Sequence, residues 1–476
     1  MKSALIWKLL ERFGVSGVQF ILQIVLARIL NPEHYGILSI MIVFTTLANV
    51  FIQSGFNTAL IQNRDVTEED YSSVLWVSLG IASVLYVCIF ISAPLIGDFY
   101  NIPTIVLPLR VLALILIPGA LNSVQLAKVS REMEFKKVFY CNIGGVLVSG
   151  VIGILIAYMG GGLWALVVQT LLNVLVACIV MCFSVKLRLR LTCNFKRVAV
   201  LFSYGWKLLV SSLLDTLYQD LRSLVIGKKY DSGTLGYYNR GKQFPQFIIN
   251  AINGAVQSVM LPAMSAEQDD KKRVKSMMRN SIMLSAYIIF PVMAGLAAVA
   301  EPLVSLLLTD KWLPCVPFLQ IYCFCFAFYP VHSCNLQAIN AMGRSDIFLK
   351  LEIIKKTIGI FALVVAVLCF DSPIAIAMTG VFTTFTSCFI NAYPNKQLID
   401  YSYSEQTRDL LPSLFASVIM CIGVLMVGNL GLNTLGTLVL QIVTGITIYL
   451  IISVIMKPEP FIMMKNVGLK MINKGR

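Results

Sequence analysis

The chain has 476 residues, of which 58% are hydrophobic and only 13% are charged, and its formal net charge is +14. A soluble core cannot bury so much apolar sequence, so the composition excludes an ordinary soluble domain and predicts an all-α polytopic membrane protein. The basic residues lie between apolar runs, which is typical of membrane topology and argues against a nucleic-acid-binding face.

Fourteen apolar segments are long enough to cross a bilayer, and the loops between them are short. In chain order they lie near residues 9–30, 36–61, 72–96, 105–125, 138–158, 162–184, 203–226, 234–262, 281–301, 316–341, 351–370, 374–394, 411–430 and 434–456. Lysine and arginine are concentrated in alternate connecting segments, counted from the N-terminus. This asymmetry predicts that both termini are cytoplasmic, and that the basic clusters at 186–197 and 271–279 lie in cytoplasmic loops against anionic lipid.

Polar side chains lie along one side of spans one and two. In span one they are Arg12, Ser16, Gln19 and Gln23, and in span two they are Asn49, Gln53 and Asn57. Steps of three and four residues place each set on one face of a helix. Lipid does not solvate such a face, so each face must meet protein or water.

Span seven carries Lys207, Asp215, Tyr218, Gln219 and Arg222, and the last four share a face. Asp215 lies in mid-span, where an acid costs about 2.5–3.5 kcal/mol on insertion scales, so it needs a partner or a task. We expect Asp215 to couple solute movement to an ion. A structural ion pair with Arg222 or Lys207 is the equal alternative.

Span eight carries a ladder of six amides separated by four or three residues. They are Asn239, Gln243, Gln246, Asn250, Asn253 and Gln257. At about 100° per residue they fall within roughly 40° of one line, which is roughly 27 Å long, close to the thickness of the bilayer core. Amides also join helices in packed bundles. Six amides on one line favour a wet, polar path through the membrane.

The chain resembles itself over its first four hundred residues. WKLL occurs at 7–10 and again at 206–209, and short turns end at Gly36 and Gly236. The two WKLL copies and the two glycines are separated by nearly the same distance along the chain, 199 and 200 residues. This agreement predicts two repeats of six spans in the same orientation. Four polar sides, from spans 1, 2, 7 and 8, can then enclose one cavity. The predicted domains are 1–200, 201–400 and 401–476.

Catalytic and metal-binding patterns are missing from the sequence. The twelve cysteines lie mostly in apolar runs, which predicts small buried side chains rather than disulfides or metal ligands. There is no CxxC pair, Walker motif or nucleophile–base pair, so we expect no catalytic residue, no metal and no cofactor. His332 lies within span ten and is interpreted as a bundle histidine rather than a proton carrier.

Ordered segments along nearly the whole chain resemble bacterial polysaccharide-export flippases of the Wzx type. They are ARILNPEHYGILSIMIVF (27–44), GFNTALIQ (55–62), TEEDYSSVLW (67–76), PLRVLAL (108–114), SREMEFKK (130–137), GTLGYYNRGKQFPQ (233–246) and AINAMGRSD (338–346). The likeness is to the colanic-acid-exporter-like branch of the MOP superfamily. That superfamily also contains multidrug exporters and peptidoglycan precursor flippases.

The resemblance implies two six-helix lobes and two further helices in the bacterial inner membrane. It implies movement of undecaprenyl-diphosphate-linked oligosaccharide to the outer leaflet, without chemistry on the sugar. The expected partners are that lipid-linked oligosaccharide and membrane lipids, with contact to a polysaccharide polymerase or glycosyltransferases as a further expectation, and no nucleic acid.

The resemblance also implies a cationic cavity whose residues vary among members. Arg12, Lys207, Arg222 and Lys242 lie near span ends and are our candidates for binding the diphosphate, while the amides suit sugar hydroxyls. Arg240 lies further from the amide line and is a weaker candidate. For each of the four cations, snorkelling to lipid head groups is an equal alternative.

Three other functions remain open at this point. A multidrug or small-metabolite exporter of the same superfamily would need a narrower, more acidic and aromatic cavity, and usually lacks the last two spans. A membrane-embedded lipid-modifying enzyme would need a catalytic cluster. A non-transporting scaffold would leave the amide ladder unexplained.

Overall fold

The computed structural model describes Trp7, residues 11–53, Leu60, residues 66–185 and residues 194–474. Within these ranges every regular element is helical. The chain divides into two compact units, Met1–Gly236 and Tyr237–Arg476. These are called unit 1 and unit 2 below.

The first element of unit 1 in the described residues is a π-helical turn, Glu11–Val15, and short 3-10 turns precede and follow α4. Its helices are α1 (Ser16–Ile29), α2 (Pro32–Gln53), α3 (Glu68–Tyr100), α4 (Val106–Leu112), α5 (Leu116–Glu132), α6 (Phe135–Tyr158), α7 (Leu163–Ser184) and α8 (Phe195–Lys229). Thr67 and Asp70 form a capping box that starts α3, in which the Asp70 carboxylate accepts from the Thr67 backbone N–H at 2.8 Å.

Unit 2 is entered through α9 (Ser232–Ala266), which contains the division at Gly236. The helices that follow are α10 (Lys271–Ala298), α11 (Ala300–Leu308), α12 (Val316–Ala327), α13 (Tyr329–Ala341), α14 (Ser345–Cys369), α15 (Pro373–Ile399), α16 (Tyr403–Gly428), α17 (Thr434–Met456) and α18 (Glu459–Lys474). A 3-10 turn, Asp310–Cys315, leads into α12.

Every predicted span overlaps a helix of the structure. In the described part of the chain, ten helical segments are long enough and apolar enough to cross a membrane. The helices at predicted spans one, seven, eight and eleven are outside this set. α1 has only 14 residues, α8 and α9 carry charged and amide side chains, and α14 carries charged side chains in its first half.

The basic cluster at 271–279 is helical, whereas the sequence predicted a loop before a span beginning at 281. α10 begins at Lys271 because Asp270 caps it. Its carboxylate accepts from the backbone N–H groups of Lys272 at 3.0 Å and Arg273 at 3.1 Å. Lysine and arginine have good intrinsic helix propensity, so with this cap the helix extends beyond the apolar segment.

Arg279 in this cluster binds two carboxylates of unit 2. Its guanidinium donates to both oxygens of Asp409 on α16 at 2.8 and 2.9 Å, and to both oxygens of Glu459 on α18 at 2.8 and 3.1 Å. The Tyr401 hydroxyl also donates to Asp409, at 2.7 Å. Part of the cluster therefore ties α10 to α16 and α18, which goes beyond the contact with anionic lipid that the sequence predicted.

Two glycines let the starts of α2 and α9 approach backbone to backbone within unit 1. A Cβ atom built on Gly36 would lie 1.7 Å from the carbonyl oxygen of Ser232, and one built on Gly236 would lie 2.1 Å from that of Pro32. The contact is reciprocal, because the two glycines, like Pro32 and Ser232, are 200 positions apart. A larger side chain at either glycine would force the helix starts apart.

Candidate functional site

The predicted amide ladder lies entirely on α9, which is helical without a break from Ser232 to Ala266. Helical geometry therefore places the six amides along one side over about 27 Å. Asn253 is buried, with 7% of its surface exposed, and Asn250 is exposed. The other four are half-buried: Asn239, Gln243, Gln246 and Gln257. The helical spacing is confirmed, and binding of a substrate by these residues stays a prediction.

Gln257 joins two helices. Its Nε2 donates to the hydroxyl of Ser333 on α13 at 2.8 Å. This contact is the interhelical hydrogen bond that amides make in packed bundles. At this end of the ladder, a structural role is therefore present whatever else the amide does.

Gln243 is held by an arginine of its own helix. Nη1 of Arg240 donates to Oε1 of Gln243 at 2.7 Å. Arg240 is 3% exposed, and its guanidinium carbon lies 5.3 Å from the centre of the Trp312 ring. A guanidinium at this distance from an aromatic ring is attracted to it. Residues three positions apart are neighbours on one face of a helix, so Arg240 and Gln243 can meet.

Sequence reasoning ranked Arg240 as a weaker candidate by its angle from the amide line and did not predict its contact with Gln243. The available signal was the spacing of three residues between Arg240 and Gln243, together with Gly241 beside the arginine. A Cβ atom on Gly241 would lie 2.7 Å from the carbonyl oxygen of Cys315 and 2.8 Å from the backbone nitrogen of Leu319. Gly241 therefore lets α9 dock closely on the turn that carries Trp312 and on the start of α12.

Lys242 lies against an aromatic cluster of unit 2. Its Nζ is 5.7 Å from the centre of the Tyr322 ring, and the hydroxyls of Tyr322 and Tyr238 are hydrogen-bonded to each other. Both tyrosines are buried, at 6% and 0% exposure, while Lys242 is half-buried. The ammonium is thus attracted to a ring face at a partly accessible position.

The polar face predicted on span seven lies on α8 in unit 1. Nε2 of Gln219 donates to the Asp215 carboxylate at 2.8 Å, and the Arg222 guanidinium lies 6.0 Å from the Tyr218 ring. The continuous helix places the four side chains on one face, and each of the two contacts joins a pair of them. Lys207 belongs to the same helix, but its side chain lies outside the described part of the chain.

The polar residues predicted on spans one and two lie on α1 and α2 of unit 1. Gln19 and Gln53 are exposed and Gln23 is half-buried. Asn49 is half-buried, and its Nδ2 donates to the backbone carbonyl of Thr45 at 3.1 Å. The Arg12 side chain and the whole of Asn57 lie outside the described residues, although the Arg12 backbone belongs to the π-helical turn.

His332 and the cysteines form no metal centre in the described ranges, where no group of three or more His, Cys, Asp or Glu side chains is arranged to hold a metal ion. His332 lies on α13 with its Nε2 3.9 Å from Sγ of Cys388 on α15. This pair joins two helices of unit 2.

A family model and two relatives that match this chain in sequence are named for the biosynthesis or transport of polysaccharides. A family model described as "Polysaccharide biosynthesis protein" matches residues 25–317. The lipopolysaccharide biosynthesis protein WzxC of Escherichia coli (strain K12) is 25% identical over 75% of this chain and 73% of its own length. The succinoglycan biosynthesis transport protein ExoT of Rhizobium meliloti (strain 1021) is 24% identical over 86% of this chain and 80% of its own length.

Two solved structures of membrane transport proteins share the fold of this chain. The lipid II flippase MurJ, in an inward closed conformation, has a TM-score of 0.74 at 15% identity, over 96% of this chain and 99% of its own. An inward-facing multidrug resistance MATE family transporter of the MOP superfamily has a TM-score of 0.63 at 15% identity, over 83% of this chain and 99% of its own. At these identities the likeness shows a shared fold alone.

Proposed function

Because the chain belongs to the polysaccharide biosynthesis protein family, we propose that it flips undecaprenyl-diphosphate-linked oligosaccharide across the bacterial inner membrane for surface polysaccharide export. It works by alternating access, with the lipid tail remaining in the bilayer. The observation that carries the proposal is the amide-lined side of α9, which runs for about 27 Å in a chain of this family. Contact with a polymerase or with glycosyltransferases stays a prediction.

The chemistry of the polar residues supports this substrate class. Each amide can both donate and accept hydrogen bonds, as sugar hydroxyls require. Arginine and lysine complement the diphosphate, and arginine does so with two parallel donors. The substrate needs to be moved and not altered, so the proposed role uses binding groups and no nucleophile.

Export of drugs or small metabolites is the alternative within the same fold. A cationic drug would require acidic groups along its path. The polar side of α9 carries amides, with Arg240 and Lys242 beside them, and this composition favours an anionic, sugar-bearing substrate.

Reconstitution tests the proposal directly. Purified protein is placed in liposomes that contain undecaprenyl-diphosphate-linked oligosaccharide, and a glycan-cleaving enzyme outside measures how much glycan has crossed. We expect the accessible glycan to rise above the level of protein-free liposomes without added ATP. Export of cationic dyes with no movement of lipid-linked glycan would instead establish the alternative.

A further inference from the structure

Arg240 fixes which end of the Gln243 amide is offered to its surroundings. An arginine has only donors, so the atom of Gln243 that faces it has to be the acceptor, Oε1, as the 2.7 Å contact shows. The Nε2 end of the same planar amide then points away from the guanidinium. Gln243 is half-buried, so this end belongs to a partly accessible group.

The arginine is itself held firmly. It is 3% exposed, it lies 5.3 Å from the Trp312 ring, and the adjacent Gly241 brings α9 into backbone contact with the turn that carries this tryptophan. A side chain packed in this way keeps one rotamer, so its contact imposes one orientation on the amide. Gln246, the next amide of the ladder, has a glutamine instead of an arginine three residues before it.

We propose that Arg240 is a positioning residue that turns Gln243 into a fixed N–H donor for an ionised phosphate oxygen of the substrate, an inference that rests on the proposed function. Ionised phosphate oxygens only accept hydrogen bonds, so a donor-only amide matches them. The positive charge of Arg240 behind the amide polarises the N–H group and strengthens that bond. The arginine therefore acts on the substrate through Gln243.

The decisive variant is Gln243→Glu, because glutamate still binds Arg240 but offers only acceptors to the substrate. We expect the half-saturation concentration for flipping in proteoliposomes to rise by about tenfold or more, since one charge-assisted hydrogen bond is lost. Gln246→Glu introduces the same charge one step along the ladder and should have a clearly smaller effect. Arg240→Met should resemble Gln243→Glu, and Arg240→Lys should restore most of the affinity, because lysine is again a donor.

Two substrates identify the group that is bound. Undecaprenyl diphosphate carrying a single sugar should show the same rise in half-saturation concentration as the full oligosaccharide if the acceptor is a phosphate oxygen. A defect confined to the long glycan would overturn the assignment to phosphate.

Thermal unfolding in detergent needs no substrate and separates this inference from the proposed function. Gln243→Leu deprives the buried arginine of an acceptor and should lower the Tm, while Gln243→Glu should keep or raise it. Wild-type protein that flips no lipid-linked glycan would overturn the proposed function, and equal Tm values for these two variants would then overturn the inference as well. Wild-type affinity in Gln243→Glu, or an equal loss in Gln246→Glu, would also overturn it.

Discussion

At the residue scale, Asp215 is an acid in the middle of a predicted span that is bound by an amide of its own helix. The Gln219 amide donates to it at 2.8 Å from one turn further along α8. Asparagine at this position would still accept that hydrogen bond, so the local structure can survive removal of the charge. If Asp215 has only a structural role, Asp215→Asn should therefore leave transport unchanged. If Asp215 couples transport to an ion, the same substitution should abolish the dependence on the ion gradient.

We expect Asp215→Asn to fold normally but to lose the dependence of flipping on a proton or sodium gradient. The measurement is the initial flipping rate in proteoliposomes with and without each gradient. Asp231→Asn is the matched control, because Asp231 is exposed in the turn before α9 and should leave the dependence intact. A gradient dependence in Asp215→Asn equal to that of the wild type would leave Asp215 with a structural role alone.

Arg222 separates phosphate binding from snorkelling, because the two roles respond differently to a substitution that keeps the charge. Arg222→Lys should lower transport roughly tenfold if a planar fork binds phosphate, since lysine cannot make two parallel hydrogen bonds. The readout is the flipping rate at equal amounts of reconstituted protein. Arg28→Lys, at an exposed position near the end of α1, should change little. Equal rates for the two variants would favour snorkelling at Arg222.

At the scale of single elements, α9 depends on how closely it docks in unit 2. We expect Gly241→Ala to lower the free energy of unfolding by about 1–3 kcal/mol, because its Cβ meets backbone atoms that cannot rotate away. A Cβ atom on Gly144 in α6 would meet nothing within 4 Å. Gly144→Ala should therefore raise the free energy of unfolding by up to about 1 kcal/mol. Thermal unfolding of both variants in detergent checks this, and equal Tm values would contradict it.

The helices and the single face of the ladder could be predicted because apolar length and helical spacing are local properties of the sequence. The start of α10 could not be predicted from hydropathy, since it depends on the Asp270 cap and on basic residues with good helix propensity. The position of Arg240 depends on Gly241 and Trp312, which are far apart in the chain. Such contacts between distant segments leave no periodic signal.

At the scale of the whole molecule, the resemblance predicted from short segments is confirmed by the family match over residues 25–317 and by the relatives named WzxC and ExoT. The span count of fourteen and the cytoplasmic termini stay predictions. The span count rests on the length of the apolar segments, and the orientation of the termini rests on the distribution of lysine and arginine.

Reporter fusions test that topology. Fusions after Lys196 and after Lys271 should report the cytoplasm, and fusions near Lys229 and Lys311 should report the outer side, because the basic segments stay inside. A phosphatase and a fluorescent reporter at each position make the two outcomes complementary. A cytoplasmic signal near Lys229 would mean that the number of spans before it is not seven.

The reciprocal contact of Gly36 and Gly236 bears on the history of the chain. If one ancestral segment was duplicated and fused, most pairs of matching positions could drift apart independently, since each packs against different neighbours. Here each copy's glycine faces a backbone carbonyl of the other copy, so a change in either copy is penalised by the other. Mutual constraint of this kind would preserve the trace of such a duplication at the place where the copies touch, and these two helix starts are one of the few places where the chain resembles itself.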